Sequence, residues 1–172
     1  MTIFLCGFMG CGKSTVGERL ARQLDCPFVD MDAYIEEQAG MTIPEIFAQY
    51  GEPHFRDLET QAIRELAVRD GIIACGGGAM LREENARIAA EHGTVVYLEV
   101  PFHTCYRRIA DSDRPIVRRS TRDELEELYN ARRTIYQKHS THTADASRTP
   151  AAAAAAVLAV LGLAQNDTGE CE

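Results

Sequence analysis

The chain has 172 residues, 45% hydrophobic and 26% charged, a size and composition suited to one globular domain with a real core. Its net charge of −8 argues against a general nucleic-acid binder, and no apolar run reaches membrane-spanning length. Six cysteines at irregular spacing, with no C-x-x-C, argue against a disulfide or zinc framework and fit reduced thiols.

The first run, Thr2-Ile3-Phe4-Leu5-Cys6, is apolar and suits a buried strand. No signal peptide is expected before it, and a cytoplasmic location follows as the expectation. Next comes Gly7-Phe8-Met9-Gly10-Cys11-Gly12-Lys13-Ser14, which is G-x-x-x-x-G-K-[ST], a loop that cradles phosphates. Its glycines let successive backbone N–H groups turn inward, and a helix N-terminus adds partial positive charge at the same point. The helix follows directly, with Val16, Leu20, Ala21 and Leu24 at helical spacing. Gly10, Cys11, Gly12, Lys13, Ser14 and Thr15 are therefore expected to bind nucleotide phosphates. Lys13 has the reach for the terminal phosphates, and the Ser14 hydroxyl can ligate Mg²⁺.

Residues 26–32 read as a short strand ending in two carboxylates, Asp30 and Asp32. If the strand continues that far, the two point to opposite faces and do different work; alternatively Asp32 caps the helix over 34–38. Gly40 is expected to stop that helix. Thr42, Pro44 and Glu45 then open another with a capping box, covering Ile43, Ile46 and Phe47 and ending near Gly51. A longer helix is predicted from 53 to 69, with Phe55, Leu58, Ala62 and Leu66 as its apolar stripe.

Residues 71–75 form a continuous apolar strand that runs into Gly76-Gly77-Gly78. A helix from 82 to 92 with Gly93 as its stop, a buried strand over 94–98 and a helix over 101–110 follow. Residues 111–121 are charged and read as a mobile loop. A charge-rich helix covers 122–138, and residues 142–146 suit a last strand. Thr149-Pro150 starts an alanine-rich helix running to about 163. Residues 164–172 are expected to be a disordered tail.

Alternation of buried strands with helices implies an α/β fold with a parallel sheet covered on both faces. In such sheets ligands sit beyond the carboxyl ends of the strands. The phosphate loop, Asp30/Asp32 and Gly76–Gly78 all fall at such ends, so they should converge.

Together, Gly7–Gly17, Phe28-Val29-Asp30-Met31-Asp32, residues 51–59 (GEPHFRDLE), Gly76–Gly78, Arg114-Pro115-Ile116 and Arg132-Arg133-Thr134-Ile135-Tyr136 resemble shikimate kinase in order and spacing. The likeness spans residues 1 to about 163. It implies a three-layer P-loop fold: a five-stranded parallel sheet of order 2-3-1-4-5, substrate-binding helices over about 32–60 and a lid over about 111–121. It also implies ATP-dependent phosphorylation of the 3-hydroxyl of shikimate with Mg²⁺, in aromatic amino-acid biosynthesis, by a chain expected to be a monomer.

The same resemblance implies roles for residues. Asp32 would hold the substrate hydroxyls and act as base or orienter, and Asp30 would act near Mg²⁺. Arg56 and Arg132 would clamp the carboxylate. Gly76, Gly77 and Gly78 would approach the substrate through backbone. Arg114, on the lid, would reach the phosphates, and one of Arg107 or Arg108 would stack on adenine. Paired guanidiniums suit a carboxylate, and Glu59, three residues after Arg56 on a predicted helix, can hold that arginine. The sequence departs from the family's usual pattern at Ile116-Val117, Thr134 and Cys75. The competing readings are another small-metabolite kinase, such as a gluconate kinase, and a non-catalytic nucleotide-binding relative; the latter would be expected to lack Lys13, Asp32 or Arg132.

Overall fold

The computed structural model describes residues 1–163; the tail expected at 164–172 lies outside them. Five strands, β1 Thr2–Cys6, β2 Phe28–Asp30, β3 Gly71–Ala74, β4 Thr94–Glu99 and β5 His142–Asp145, form one sheet in the order β2-β3-β1-β4-β5. All four pairings are parallel, with Phe4 of the central strand in register with Ile73 on one side and Val95 on the other. Every residue of β1 is buried. Because alternate side chains face opposite ways, that pattern requires cover on both faces, as the apolar run implied.

Helices α1 Lys13–Leu24, α2 Met31–Ala39, α3 Ile43–Tyr50, α4 Glu52–Ala67, α5 Glu83–His92, α6 Phe102–Ile109, α7 Pro115–Arg118, α8 Arg122–His139 and α9 Pro150–Val160 supply that cover. α1 packs on α9 and β3, whereas α5 and α8 pack on β4. The alanines of α9 bury Ala153 and Ala154 beside Val157 and Leu158, and small side chains allow the close approach to α1. Gly17 of α1 serves the same end: a Cβ there would come 2.6 Å from the Phe28 ring. No helix among the described residues is long and apolar enough to cross a membrane.

Local signals set most boundaries. Thr42 accepts from the Glu45 amide, and the Glu45 carboxylate accepts from the Thr42 amide at 2.9 Å, as the capping box predicted. Gly40 ends α2 in the left-handed region, and Gly51 ends α3. Thr121 and Glu124 form a second capping box, which opens α8.

Four expectations need correction. The second strand stops at Asp30, and Asp32 lies in the first turn of α2. Asp30, not Asp32, is the cap: its side chain accepts from the Ala33 amide at 3.2 Å, which turns the chain out of the sheet. The segment 111–121 is not all loop, because Pro115 starts the single turn α7. Proline at the first helical position costs no hydrogen bond. The last helix ends at Val160, short of 163. Finally, the buried face of α4 holds Phe55, Glu59, Ala62, Ile63 and Leu66, with Leu58 only partly buried. A carboxylate thus occupies a position where the helical period expects an apolar side chain.

Candidate active site

The carboxyl ends of β1, β2 and β3 open into one cavity of about 510 Å³. The phosphate loop forms its floor. Gly10 and Gly12 adopt φ of 79° and 91°, conformations open to glycine and strained for other residues. The loop closes with the Cys11 amide donating to the Phe8 carbonyl at 3.1 Å. Lys13 reaches back across it, its Nζ donating to the Gly7 carbonyl at 2.8 Å and the Phe8 carbonyl at 3.3 Å. At the start of α1 the Ser14 hydroxyl donates to Asp30 Oδ2 at 2.8 Å. Asp30 therefore uses one oxygen to cap α2 and the other to meet Ser14, joining two strand ends.

Asp32 lines the same cavity as Lys13, Ser14 and Thr15. Burial, reinforced by the nearby Asp30 charge, pushes its carboxyl above the ordinary range, and Lys13 and Arg114 only partly offset this. On its far side lies the glycine loop: a Cβ on Gly76 would come 2.6 Å from Asp32 Oδ1 and 3.2 Å from Glu59 Oε2. Glycine at this position leaves room for both carboxylates.

Arg56 is held by its own helix. Its guanidinium meets Glu59 at 2.7 Å and Glu52 at 3.1 Å. Glu59 is 1% exposed, so this is an anchored pair rather than a surface one. Burial raises the Glu59 pKa, and the hydrogen bond and charge of Arg56 oppose that. Burial acts to lower the Arg56 pKa, yet its bonds to Glu59 and Glu52 leave it raised, so it stays charged. Arg56 packs directly on Gly78, where a Cβ would collide with the guanidinium. Arg132 of α8 sits by Gly77, 3.7 Å from where a Cβ would stand. Among the described residues no salt bridge engages Lys13, Arg108, Arg114 or Arg132.

The wall opposite is basic. Arg108 and Arg114 line the cavity, with Arg114 at the N-cap of α7. Arg107 is not among the lining residues. Neighbours on a helix point about 100° apart, and it is Arg108 that turns inward, donating to the Gly10 carbonyl at 2.8 Å. Arg148, Thr149 and Pro150 complete this wall. Arg148 escaped the reading of the sequence because a single arginine before a helix cap carries no local signal. All the expected site residues except Arg107 thus lie in or directly against one region: Arg56 and Arg132 do not line the cavity but stand against Gly78 and Gly77 of the glycine loop.

Comparison with known proteins settles the lineage. A sequence model of shikimate kinase matches residues 9–161, and the shikimate kinase of Ralstonia nicotianae is 46% identical over 139 residues, 79% of this chain and 73% of the relative. The chain belongs to the shikimate kinase family. It is accordingly a phosphotransferase that acts on shikimate. The solved structure of shikimate kinase from Acinetobacter baumannii in complex with shikimate superposes with a TM-score of 0.85 at 34% identity, covering 98% of this chain and 95% of that one. A gluconokinase from Sinorhizobium meliloti reaches a TM-score of 0.58 at 18% identity, covering 94% and 91%; that likeness is one of fold alone.

Proposed function

We propose that the cavity holds MgATP on the phosphate loop and shikimate against Asp32 and the glycine loop, and that the γ-phosphoryl passes between them to the 3-hydroxyl. The observation that carries this reading is that Asp32 and Lys13 line one cavity. In-line phosphoryl transfer asks the protein mainly for position and charge, and the cavity has both.

On the donor side, the amides of residues 10–15 and the start of α1 bind phosphate oxygens. Lys13 leaves the Gly7 and Phe8 carbonyls to meet the terminal phosphates. Arg108, held on the Gly10 carbonyl at 2.8 Å, covers the adenine, with Pro150 on the same wall of the cavity. Ser14 and Asp30 offer two hard oxygens 2.8 Å apart, a donor set that fits Mg²⁺, which keeps several waters and takes only one or two protein ligands. Bound there, Mg²⁺ supplies neutralising charge to the phosphates.

On the acceptor side, Arg56 and Arg132 flank the Gly77–Gly78 peptide and clamp the substrate carboxylate. Asp32 then takes a hydrogen bond from the reacting hydroxyl and accepts its proton late in transfer. Its raised pKa suits that role. Residues 111–121 act as the lid: Arg114 swings with α7 to the transferring group and closure excludes water. Residues 1–163 form one kinase domain, with substrate-binding helices over about 32–60. Every group named comes from one chain, so a monomer suffices. The free thiols of Cys6, Cys11, Cys26, Cys75 and Cys105 agree with a reducing cytoplasm.

The test is ADP release with MgATP and, separately, shikimate, gluconate or nucleoside monophosphates. Shikimate alone should support turnover. Absence of shikimate-dependent ADP release in the intact protein sinks the reading.

A further inference from the structure

From Gly76 to Met80, the glycine loop and the turn after it, five consecutive carbonyls are each tied to the protein. Gly76 O accepts from the Ala79 amide at 3.2 Å and Gly78 O from the Leu81 amide at 3.2 Å. Gly77 O accepts from the Tyr136 hydroxyl. Ala79 O accepts from the Asn85 side-chain amide at 2.9 Å, and Met80 O meets His139 Nδ1 at 2.7 Å. The amides behave oppositely: among the described residues no protein group accepts from Gly76, Gly77 or Gly78. A trans peptide sets its C=O and N–H in opposite directions. Holding the Gly77 carbonyl on Tyr136 therefore fixes the Gly78 amide in the opposite direction.

One peptide matters most. The Gly77 carbonyl and the Gly78 amide belong to the same plane, which lies between Arg132 at Gly77 and Arg56 at Gly78. We infer that Tyr136 is a positioning residue for the acceptor: its hydroxyl fixes the Gly77–Gly78 peptide so that the Gly78 N–H joins the two guanidiniums in facing the substrate carboxylate. This rests on the acceptor site proposed above.

The side chain is built for such a role. Tyr136 is 1% exposed and its ring stacks on Tyr97 of β4, centroids 5.5 Å apart. The hydroxyl is thus referred to the rigid sheet, not to the surface. Burial pushes the phenol well above its ordinary pKa, which keeps it a neutral donor. Glycines without such a tie are the residues with most freedom to turn their peptides over. Tyr136 also stands one turn after Arg132 on α8, so one helix places both a guanidinium and the peptide beside it.

The test is Tyr136→Phe in the full chain, which keeps the ring stack and removes only the hydroxyl. The KM for shikimate should rise at least about fivefold, because the hydroxyl that holds the Gly77 carbonyl also meets Arg132, with the KM for MgATP unchanged. Backbone order parameters at Gly77 and Gly78, measured without ligands, should fall. A shikimate KM equal to that of the unaltered protein overturns the inference. So does a parallel rise in both KM values, which would mean general softening of the fold. Turnover of the unaltered protein with shikimate is measured alongside. Its absence speaks against the acceptor site itself, whereas the order-parameter comparison still decides whether Tyr136 holds the loop.

Discussion

The proposed donor and acceptor halves of the cavity are built in opposite ways. The phosphate-binding part of the donor half is a run of neighbours, Gly7 to Thr15, in which backbone does most of the work and Lys13 is the long side chain; Asp30, Arg108 and Arg114 join it from outside the run. The acceptor half is gathered from Asp32 on α2, Arg56 and Glu59 on α4, the glycines after β3 and Arg132 on α8. Backbone recognition needs a fixed local shape, so it leaves a contiguous motif. Recognition of a hydroxylated carboxylate needs charges on several sides at once, so it must be distributed. The difference teaches where mutations bite: the donor half should fail as a unit at Lys13, whereas the acceptor half should fail residue by residue, each with its own signature.

The largest effect is expected at Lys13. Its contacts in the free protein are loop carbonyls and Cys11 Sγ, so Lys13→Ala should leave the fold intact while lowering kcat about 10³-fold. Asp32→Asn comes next. Loss of a positioned base should lower kcat about 10²-fold. It should also remove an acid limb of the kcat/KM profile that, in the unaltered protein, lies above the ordinary carboxylate range because Asp32 is raised. A limb at the ordinary carboxylate value would count against the burial argument.

The two arginines sharpen the comparison within the acceptor half. Arg132→Ala should raise the shikimate KM about 10- to 100-fold, the worth of hydrogen bonds to a charged group, with little change in thermal stability. Arg56→Ala should raise the same KM and also destabilise by on the order of 3 kcal/mol, because Glu59 would stay buried without its partner. Thermal melts beside steady-state kinetics separate the two. Equal stability of both variants would mean that the Arg56–Glu59 pair is not an anchor.

How much of this was legible follows the same division. The phosphate loop, the Thr42 box and the stops at Gly40 and Gly51 were readable because each is set by a few adjacent residues. The sheet order came from resemblance, since nothing local encodes which strands become neighbours. Asp30 and Asp32 read as one strand because no glycine or proline separates them; the break is made by Asp30 itself, accepting from the Ala33 amide. Arg107 and Arg108 could not be told apart because adjacent helical residues differ only in what they face, and packing against Gly10 decides that. The turn at Pro115 is too short to show a period.

The smallest expected effect is on the pH dependence of stability, and it also divides the molecule. On the surface, Asp145 is lowered by its bonds to Ser147, and Glu65 by the Tyr34 hydroxyl and Gln61. Such groups stabilise the fold above their unfolded pKa, and the gain is lost as pH falls through the lower folded value. In the acceptor half, Asp32 and Glu59 are raised by burial. There the native state binds more protons than the unfolded chain, so their contribution weakens as pH rises from the ordinary carboxylate value through the raised one. Urea unfolding from about pH 4 to pH 7 should therefore show stability falling with pH. The fall should flatten in Asp32→Asn with Glu59→Gln, in which neither group can ionise. A rise through that window in the unaltered protein would mean that the acceptor carboxylates are no more burdened by burial than those outside.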